Sequence, residues 1–349
     1  MQTAQEVIRH VTQGQHLTLE QAAVAMEGIM TGVWTPAQIG AYLTALHMKG
    51  ESKDEIVGSA YVMRSKAFHL ELKHRPLLDI VGSGGDALRT VNVSTLSGLI
   101  CAAAGVPVAK HGNRAMSGQC GAADVLEGLG CAIDISPADA LRGVDENGFG
   151  FLFAPHFHQS MKHAVAPRRE IGIPSIFNHL GPLTNPAATE FSLIGVNQAK
   201  NTHRFTEVLI GLGSQRSIVV HGADGMDEIT TTGESHAVEQ KLGSVTEYTL
   251  TPEQFGIQRV TAGQLAMPDK AAAIAMAKAL LAGEAPRLHE DLVVLNAGAG
   301  LYLGGKAATI ADGVELARAT LRSGAARKLL ERVAAYTVSK VPKPEPAAE

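Results

Sequence analysis

Three glycine-rich segments each follow a short apolar stretch, and this arrangement constrains the fold more than any other feature of the chain. The segments are residues 78–86 (Leu-Asp-Ile-Val-Gly-Ser-Gly-Gly-Asp), 106–114 (Val-Pro-Val-Ala-Lys-His-Gly-Asn-Arg) and 218–228 (Ile-Val-Val-His-Gly-Ala-Asp-Gly-Met-Asp-Glu). From residue 76 onward, short apolar stretches alternate with stretches of helical periodicity. This alternation predicts an α/β domain with a mostly parallel central sheet flanked by helices.

The residues before position 76 predict a small helical domain. Thr18, Thr35 and Ser52 each precede a Gln or Glu by three residues, which is the spacing of a capping box. Apolar residues behind these caps recur at helical spacing, so the helices need partners to cover their apolar faces. Further along, residues 167–186 are rich in Gly, Pro and Asn and predict a loop, and residues 340–349 predict a disordered tail.

The composition argues against several classes of partner and location. The formal net charge is -4 over 349 residues, which predicts no broad attraction to nucleic acid or to a membrane surface. The three cysteines show no paired spacing, which suits a reducing cytoplasm better than a disulfide scaffold. The N-terminus lacks the basic and apolar regions of a signal peptide, and no apolar stretch is long enough to span a bilayer.

The first glycine-rich loop does not fit either common nucleotide-binding motif. Its form resembles the dinucleotide fingerprint, but that motif requires an acidic residue about 20 positions later. Lys110 stands at the end of the next strand, where the dinucleotide motif would need that acid. The second motif, the P-loop, is also excluded, because no Gly-Lys-Ser/Thr follows the glycines. What remains is a loop whose glycines allow close approach of the backbone to an anion, followed by a hydroxyl-bearing helix start at residues 90–95. The alternative is a tight turn with no ligand.

The second loop adds fixed positive charge. Lys110 and Arg114 lie within five residues of each other, directly after a predicted strand. Lysine offers a point charge and arginine a bidentate fork, and both suit phosphate oxygens. The alternative is a solvated basic turn.

The third loop carries three carboxylates at Asp224, Asp227 and Glu228. Neighbouring carboxylates repel one another unless a cation or a cap relieves them. Mg²⁺ is commonly held by one or two carboxylates together with substrate phosphates and water. The alternative is an exposed acidic turn. The three loops together predict a pocket for a phosphorylated substrate that carries Mg²⁺.

Two further groups of residues are candidates for other roles. His156, His158 and His163 fit no zinc-binding spacing, so they predict lining or surface histidines. Arg168 and Arg169 form a basic pair in the predicted loop that could hold a substrate carboxylate. The alternative for that pair is a surface charge with no ligand.

Considered together, these residues resemble the anthranilate phosphoribosyltransferases, a family of tryptophan-biosynthesis enzymes. The resemblance covers nearly the whole chain, and the order and combination of its motifs make it specific. It rests on residues 82–86, 92–95, 110–118, 123–127, 167–169, 177–186 and 220–228.

The resemblance implies a small helical domain joined by a hinge to a larger α/β domain, the architecture of the pyrimidine nucleoside phosphorylases. The helical domain would comprise residues 1–73, completed by a middle segment near 167–190. The α/β domain would comprise residues 74–166 and 191–339. The resemblance also implies a homodimer that meets through the helical domain.

The same resemblance implies phosphoribosyl pyrophosphate (PRPP) and anthranilate as substrates, with Mg²⁺ as cofactor and two ions per subunit. Displacement of pyrophosphate at the anomeric carbon by the anthranilate amine would be the reaction. The residues implied for the PRPP site are Gly82, Gly85, Asp86, Thr90, Asn92, Val93, Ser94, Thr95, Lys110, His111, Gly112, Asn113, Arg114, Ala115, Met116, Ser117, Gly118 and Ala122.

The anthranilate carboxylate would contact Arg168, with Gly82 and Asn113 nearby. The metal would be held by Ser94, Asp227 and Glu228. His111 is a candidate general base by its position only. Three positions depart from a common version of the family pattern, since Gln119 replaces a frequent Lys and Cys120 and Ala122 replace frequent serines. The missing hydroxyl at Ala122 puts one PRPP contact in doubt, although a backbone N–H could replace it.

Three other functions compete with this interpretation. A pyrimidine nucleoside phosphorylase would use the same fold with free phosphate, but the carboxylates of Asp227 and Glu228 favour a pyrophosphate–Mg²⁺ substrate. A non-catalytic relative that binds nucleic acid should carry a basic face, which the net charge of -4 does not favour. A transferase for another aromatic amine stays open, because acceptor choice depends on the pocket shape around Arg168.

Overall fold

The computed structural model describes residues 3–85, 88–115 and 120–341. Its N-terminal part is helical, as the sequence predicts. The capping boxes predicted at Thr18, Thr35 and Ser52 are all present. Each hydroxyl accepts a hydrogen bond from the backbone N–H three residues later, and the side chain of that later residue accepts one from the backbone N–H of the capping residue. The first helices are α1 (Ala4–Thr12), α2 (Leu19–Met30), α3 (Pro36–Lys49) and α4 (Lys53–Ser65).

The segment predicted as a loop at 167–186 is mostly helical, so that prediction is wrong. It contains parts of α9 (Lys162–Ile171), α10 (Ile176–Leu180) and a 3₁₀ turn at Gly181–Leu183, after the short helix α8 (Ala154–Phe157) and a 3₁₀ turn at Gln159–Met161. Its apolar residues, including Ile176, Phe177 and Leu180, are buried in the same core as α1–α4. This packing overrides the low helix propensity of the Gly- and Pro-rich sequence.

The sheet lies in the larger part of the chain and is parallel over most of its width. Its strands are β1 (Leu78–Gly82), β2 (Val108–Gly112), β3 (Phe149–Phe153), β4 (Phe191–Gly195), β5 (Arg216–Gly222), β6 (Ser235–Lys241) and β7 (Ser244–Leu250). Their order in the described residues is β3-β2-β1-β4-β5-β6-β7. The first five strands in this order, β3, β2, β1, β4 and β5, are parallel to one another. Strands β6 and β7 extend the edge of the sheet as an antiparallel hairpin.

Helices cover both faces of the sheet. The remaining helices are α5 (Val93–Ala103), α6 (Ala122–Gly128), α7 (Pro137–Asn147), α11 (Asn201–Gly211), α12 (Ala262–Leu265), α13 (Lys270–Ala282), α14 (Arg287–Leu303), α15 (Ile310–Arg322) and α16 (Ala325–Ser339), with a 3₁₀ turn at Pro252–Phe255. Helix α14 is buried along most of its length and packs against α5, α15 and the central strands. A helix apolar on all sides is expected at the centre of a core.

The N-terminal helices contact the α/β part through α11. Phe205, Val208 and Leu209 of α11 are buried in the same core as α1–α4. At the C-terminal end of α11, a Cβ on Gly211 would lie 2.9 Å from a methyl carbon of Val57, so α4 and α11 pack closely there. None of the helices in the described part combines the length and the apolar character needed to span a bilayer.

Candidate active site

The candidate site lies at the carboxyl end of the parallel strands, where strand order changes direction. Strand β1 has β2 on one side and β4 on the other, so the chain leaves the ends of β1 and β4 towards opposite sides. A crevice at such a switch point is where open α/β sheets bind ligands. The first glycine-rich loop begins here, since Gly82 pairs in register with Gly195. The N–H of Ser83 donates to the Gly195 carbonyl at 2.8 Å.

Asp227 of the third loop closes onto the glycines of the first. Its Oδ2 accepts a hydrogen bond from the Gly84 N–H at 2.6 Å. A Cβ on Gly82 would overlap that same oxygen, and a Cβ on Gly195 would overlap the Asp227 carbonyl oxygen. Gly82 and Gly195 therefore leave the space that Asp227 occupies, which is a stronger constraint on both than turn geometry.

The Asp227 carboxylate is buried, and burial raises its pKa above the usual range. The Gly84 hydrogen bond opposes this rise. Glu228 is half-buried beside it and is near enough to Lys110 for its charge to act on the lysine. Behind the loop, Asn296 of α14 donates to the Ile229 carbonyl and accepts from the Ile229 N–H, both at 2.9 Å. Two carboxylates held side by side with one of them desolvated favour a bound cation.

Asp224, the third carboxylate of that loop, has a structural role. Its oxygens accept hydrogen bonds from the Met226 N–H at 3.0 Å and from the hydroxyls of Thr230 and Thr232 at 2.7 and 2.6 Å. These bonds use the acceptor capacity of Asp224 within the turn. Asp224 therefore stabilises the shape of the loop, whereas the Asp227 carboxylate contacts the backbone of the first loop.

The N-terminus of α5 borders the same crevice. Asn92 caps the helix, since its Oδ1 accepts from the Thr95 N–H at 3.1 Å. Ser94 is buried and its Oγ accepts from Lys110 Nζ at 3.1 Å. The hydroxyl of Thr95 is fully buried with no hydrogen-bond partner in the part of the chain that the structure describes. A helix N-terminus with hydroxyls is suited to anions.

Lys110 lies within strand β2, whereas the sequence predicts it in the loop after that strand. Its side chain is buried and Nζ also donates to the Ile80 carbonyl at 2.7 Å. Burial lowers the pKa of Lys110, and the charges of Asp79 and Glu228 oppose that change. Lys110 therefore holds Ser94 and the end of β1 in place from inside the sheet.

Asp79 and Asn185 complete this buried network, and the sequence analysis missed both. Asn185 Nδ2 donates to Asp79 Oδ2 and to the Ala109 carbonyl, each at 2.7 Å. Burial raises the pKa of Asp79 to about 6 despite the charge of Lys110. An acid inside the apolar stretch of β1 was the one available signal, because a carboxylate is rarely buried without a partner.

Arg114 is directed away from Lys110 and Ser94. Its guanidinium forms a fork with Glu127, with Nη2 donating to Oε1 at 2.9 Å, and lies 5.8 Å from the centre of the Phe153 ring. The fork predicted for phosphate is thus occupied by a carboxylate. Beside it, Asn113 Oδ1 accepts from the Arg114 N–H at 2.8 Å. Residues Asp86, Met116, Ser117 and Gly118, also predicted for the site, lie outside the described residues.

Five other residues predicted for the site lie within the part of the chain that the structure describes. Gly85 has a φ of 83°, and a Cβ there would lie 2.8 Å from Asn197 Nδ2. Thr90 donates its hydroxyl hydrogen to the Val91 carbonyl at 3.0 Å. Ala122 is the first residue of α6 and packs near Gly112. Val93 and Ala115 are respectively buried and half-buried.

His111 is buried next to His158, with ring centres 5.2 Å apart. Burial holds the pKa of His111 well below its usual range and lowers that of His158 to about 4. The Nε2 of each ring has no partner among the described residues. Both rings are therefore neutral at pH 7, and each keeps one unused ring nitrogen. His156 instead pairs with Asp134, so the three histidines considered for zinc do not converge.

Arg168 lies on helix α9 and not in a loop, which corrects the prediction for this segment. Its guanidinium carbon is 4.8 Å from the centre of the Phe177 ring. Burial alone lowers the pKa of Arg168, and no carboxylate in the described residues pairs with it. A half-buried arginine stacked on an aromatic ring without an acidic partner is suited to a planar carboxylate ligand.

Comparison with known proteins agrees with this geometry. Residues 74–327 match the glycosyl transferase family, a/b domain, and residues 5–67 match the glycosyl transferase family, helical bundle domain. An anthranilate phosphoribosyltransferase of Desulfotalea psychrophila is 47% identical over 338 residues, which cover 95% of this chain and 96% of that protein.

Solved structures show the same resemblance in three dimensions. The anthranilate phosphoribosyltransferase of Thermus thermophilus superimposes with a TM-score of 0.90 at 42% identity, over 95% of this chain and 99% of that one. The enzyme of Saccharomyces cerevisiae in complex with PRPP and Mg superimposes with a TM-score of 0.82 at 25% identity, over 92% of this chain and 93% of that one.

Proposed function

The chain belongs to the anthranilate phosphoribosyltransferase family. From this membership and from the geometry of the site, we propose how the protein carries out the family's reaction. The enzyme transfers the phosphoribosyl group of PRPP to the amine of anthranilate. The products are N-(5-phosphoribosyl)anthranilate and pyrophosphate, and the reaction is a step of tryptophan biosynthesis.

The observation that carries this function is the contact between the third loop and the first at the switch point of the sheet. Asp227 accepts from the Gly84 N–H, while Lys110 and Ser94 meet at the helix N-terminus on the other side of the crevice. Backbone N–H groups, hydroxyls and a carboxylate pair are the groups that a polyphosphate bound with divalent cations requires. Mass-spectrometric detection of N-(5-phosphoribosyl)anthranilate tests the function, and turnover only of a nucleoside with phosphate would contradict it.

PRPP occupies the crevice between the first loop, the N-terminus of α5 and the end of β2. The exposed edge of the first loop accepts the anion, because Gly84 and Gly85 carry no side chain there and both have positive φ. Thr95 supplies the buried hydroxyl that lacks a partner within the described residues. The PRPP-binding residues in this proposal are Gly82, Gly85, Asp86, Thr90, Asn92, Val93, Ser94, Thr95, Lys110, His111, Gly112, Asn113, Arg114, Ala115, Met116, Ser117, Gly118 and Ala122.

The donor set fits Mg²⁺, which prefers oxygen ligands. Asp227 and Glu228 supply carboxylates and Ser94 supplies a hydroxyl oxygen. The raised pKa of the buried Asp227 carboxylate is the mark of an anion that lacks a sufficient counter-charge. When bound, Mg²⁺ neutralises negative charge that develops on the departing pyrophosphate. Two ions per subunit match two carboxylates and two phosphate groups, and metal counting by titration tests that number.

In the reaction, the amine of anthranilate forms a bond to the anomeric carbon while the bond from that carbon to pyrophosphate breaks. The amine then loses one proton. His111 is the candidate acceptor, since its ring is neutral and its Nε2 has no hydrogen-bond partner in the described residues. Most of the rate comes from positioning the two substrates, since the protein forms no covalent bond in this step.

Arg168 holds the anthranilate carboxylate, with Gly82 and Asn113 near the acceptor. Because lysine cannot reproduce the planar fork, we expect Arg168→Lys to raise the KM for anthranilate about tenfold or more, with little change in the KM for PRPP. Arg169→Lys is the matched control, since the side chain of Arg169 is exposed. An unchanged KM for anthranilate in Arg168→Lys would place the carboxylate elsewhere.

The domain division and the dimer also belong to this proposal. Residues 1–73 with 167–190 form the helical domain, and residues 74–166 with 191–339 form the α/β domain. The proposed start at 167 falls inside α9, which begins at Lys162 and packs against α3. Val33 and Tyr61 of the helical domain are 75% and 64% exposed, and a homodimer through this domain would cover such surface. Light scattering tests the dimer by comparing the molar mass of wild type and Val33→Asp. An equal mass for the two proteins would contradict this interface.

We also place the enzyme in the cytoplasm, in keeping with free thiols at Cys101, Cys120 and Cys131. Cell fractionation tests this location, and recovery of the protein outside the cytoplasm would contradict it.

A further inference from the structure

We propose that His203, His236 and Glu247 form a binding site for a transition-metal ion, with Zn²⁺ as the physiological class. The three residues come from α11, β6 and β7, and none of them belongs to the PRPP, anthranilate or Mg²⁺ sites assigned above. They meet where the edge hairpin of the sheet faces the N-terminal part of α11.

The potential ligand atoms of the three side chains already lie close together. His236 Nε2 is 2.6 Å from Glu247 Oε1, and His203 Nε2 is 3.0 Å from Glu247 Oε2. One ligand atom from each residue can be chosen so that all three lie within 4.8 Å of one another. Within residues 3–85, 88–115 and 120–341, this is the group of three His, Cys, Asp or Glu side chains that meets that distance.

The hydrogen bonds around His236 fix which ring nitrogen faces Glu247 as an acceptor. Thr202 donates its hydroxyl hydrogen to the Ala199 carbonyl at 2.8 Å. The same oxygen is 3.2 Å from His236 Nδ1, so it must accept there and Nδ1 must carry the hydrogen. In the neutral ring, Nε2 then carries a lone pair that points at a carboxylate oxygen. A hydroxyl or carbonyl that orients the far nitrogen of a ligating histidine is the usual outer partner in metal sites.

Two acceptors in contact require a positive charge between them. A metal ion bound between the side chains would supply it. Two ligands at about 2.0 Å from a tetrahedral metal lie roughly 3.3 Å apart, so these two atoms, which are now 2.6 Å apart, must separate slightly to hold an ion. The side chains of His203 and Glu247 are 54% and 53% exposed, so they can move by this amount without disturbing the core.

The ligand types select the metal. Two imidazoles and one carboxylate suit Zn²⁺, Co²⁺ or Ni²⁺, with water in the remaining position. Mg²⁺ prefers oxygen ligands and keeps its waters, so it does not compete here. A bound ion would join the β6–β7 hairpin to α11, which packs against α4 at Gly211 and Val57. Metal binding should therefore raise thermal stability without changing the transferase chemistry.

Titration of untagged full-length protein with Zn²⁺ at pH 7.5 in excess Mg²⁺ tests the proposal. We expect the wild type to bind one equivalent that His236→Gln or Glu247→Gln weakens about tenfold or more. The control is His47→Gln, which removes an exposed histidine on α3 and should leave that equivalent unchanged. Zn²⁺ should raise the Tm of the wild type and of the control but leave the Tm of Glu247→Gln unaltered.

Three results would overturn the proposal. The wild type could bind no Zn²⁺ under these conditions, Glu247→Gln could bind it as the wild type does, or His47→Gln could lose it equally. Co²⁺ gives a second readout, because a tetrahedral site with nitrogen ligands produces visible absorption that both site variants should lose. Circular dichroism in EDTA confirms that the variants are folded, and the transferase activity of Glu247→Gln should equal that of the wild type.

Discussion

Asp224 and Asp227 lie three residues apart on one loop but face different surroundings. Asp224 is satisfied by hydrogen bonds within the turn, whereas Asp227 is buried against Gly82 and Gly84. The identity of a carboxylate therefore says less about its role than the groups that already bind it.

Substitution of these two aspartates should separate the metal role from the structural one. Asp227→Asn keeps the shape but removes the charge, so we expect turnover to fall about 100-fold or more and the Mg²⁺ requirement to rise. Glu228→Gln should act in the same direction. Asp224→Asn should instead lower the free energy of unfolding by about 1–2 kcal/mol, since it disturbs three hydrogen bonds within the turn. The measurement is initial rate against Mg²⁺ concentration, together with urea unfolding.

The metal assignment would be contradicted if Asp227→Asn with Glu228→Gln left both turnover and the Mg²⁺ dependence unchanged. It would also be contradicted if Asp224→Asn altered the Mg²⁺ dependence as strongly as Asp227→Asn does.

His158 gives the protein a pH-dependent stability of defined sign. Its pKa is about 4 in the folded protein against 6.5 for an ordinary histidine. Between these values the unfolded chain holds more protons, so this contribution to stability is present above pH 6.5 and is lost as the pH falls towards 4. For one such group the loss between pH 6.5 and pH 5 is roughly 1.5 kcal/mol.

The test compares the free energy of unfolding at pH 6.5 and 5.0 in wild type and His158→Gln. We expect the variant to lose less stability on acidification than the wild type does. Asp79 acts in the opposite direction because its pKa is raised, so only the difference between the two proteins is informative. His47→Gln, at an exposed position, should keep the wild-type slope. An identical slope in His158→Gln would show that His158 is not held neutral by burial.

At the scale of the elements, most strands and many helices could be predicted because their signals are local. Capping hydroxyls marked α2, α3 and α4, and apolar stretches before glycine marked β1, β2 and β5. The α9–α10 region could not be predicted, because tertiary packing decides its state against its own propensity. The β6–β7 hairpin was not predicted, because its two-residue turn holds Leu242 and Gly243 at positive φ, which leucine rarely adopts, and lacks the usual Asn-Gly or Asp-Gly sequence.

The ends of β4 and β1 offer a test of how the elements position the third loop. Gly195→Ala would place a methyl group on the Asp227 carbonyl, which leaves no room for it. The loop must then move away from the sheet, so we expect Mg²⁺ affinity to fall about tenfold or more and stability to fall by about 2 kcal/mol. Calorimetric titration and urea unfolding provide the two measurements.

Gly233→Ala is the matched control, because no atom lies within 4 Å of its added methyl group. It should leave both Mg²⁺ affinity and stability near the wild-type values. Wild-type Mg²⁺ affinity in Gly195→Ala would show that the close approach of β4 does not position the loop.

At the scale of the whole molecule, the site depends on residues that are distant in sequence. The network of Asp79, Lys110 and Asn185 joins strands β1 and β2 to the segment after α10. No spacing in the sequence relates these three positions, so only the fold reveals that the lysine is a buried support. The loop residues proposed to contact substrate and metal rest on their types alone, because phosphate and metal chemistry restricts which residues can serve.

The proposal assigns different parts of the reaction to different parts of the molecule. In it, the strand ends of the α/β part hold PRPP, and Arg168, stacked on Phe177 in the α9–α10 region that packs on the N-terminal helices, holds anthranilate. Under this proposal, transfer requires both parts to hold their substrates at the same time.

The proposed reaction is most directly tested by anthranilate fluorescence with purified protein, PRPP and Mg²⁺, in the presence and absence of EDTA. We expect a loss of fluorescence that needs PRPP, stops with EDTA and returns when Mg²⁺ is restored. Folded protein that consumes no anthranilate under these conditions, or that consumes it equally well in EDTA, would contradict the Mg²⁺-dependent transfer from PRPP.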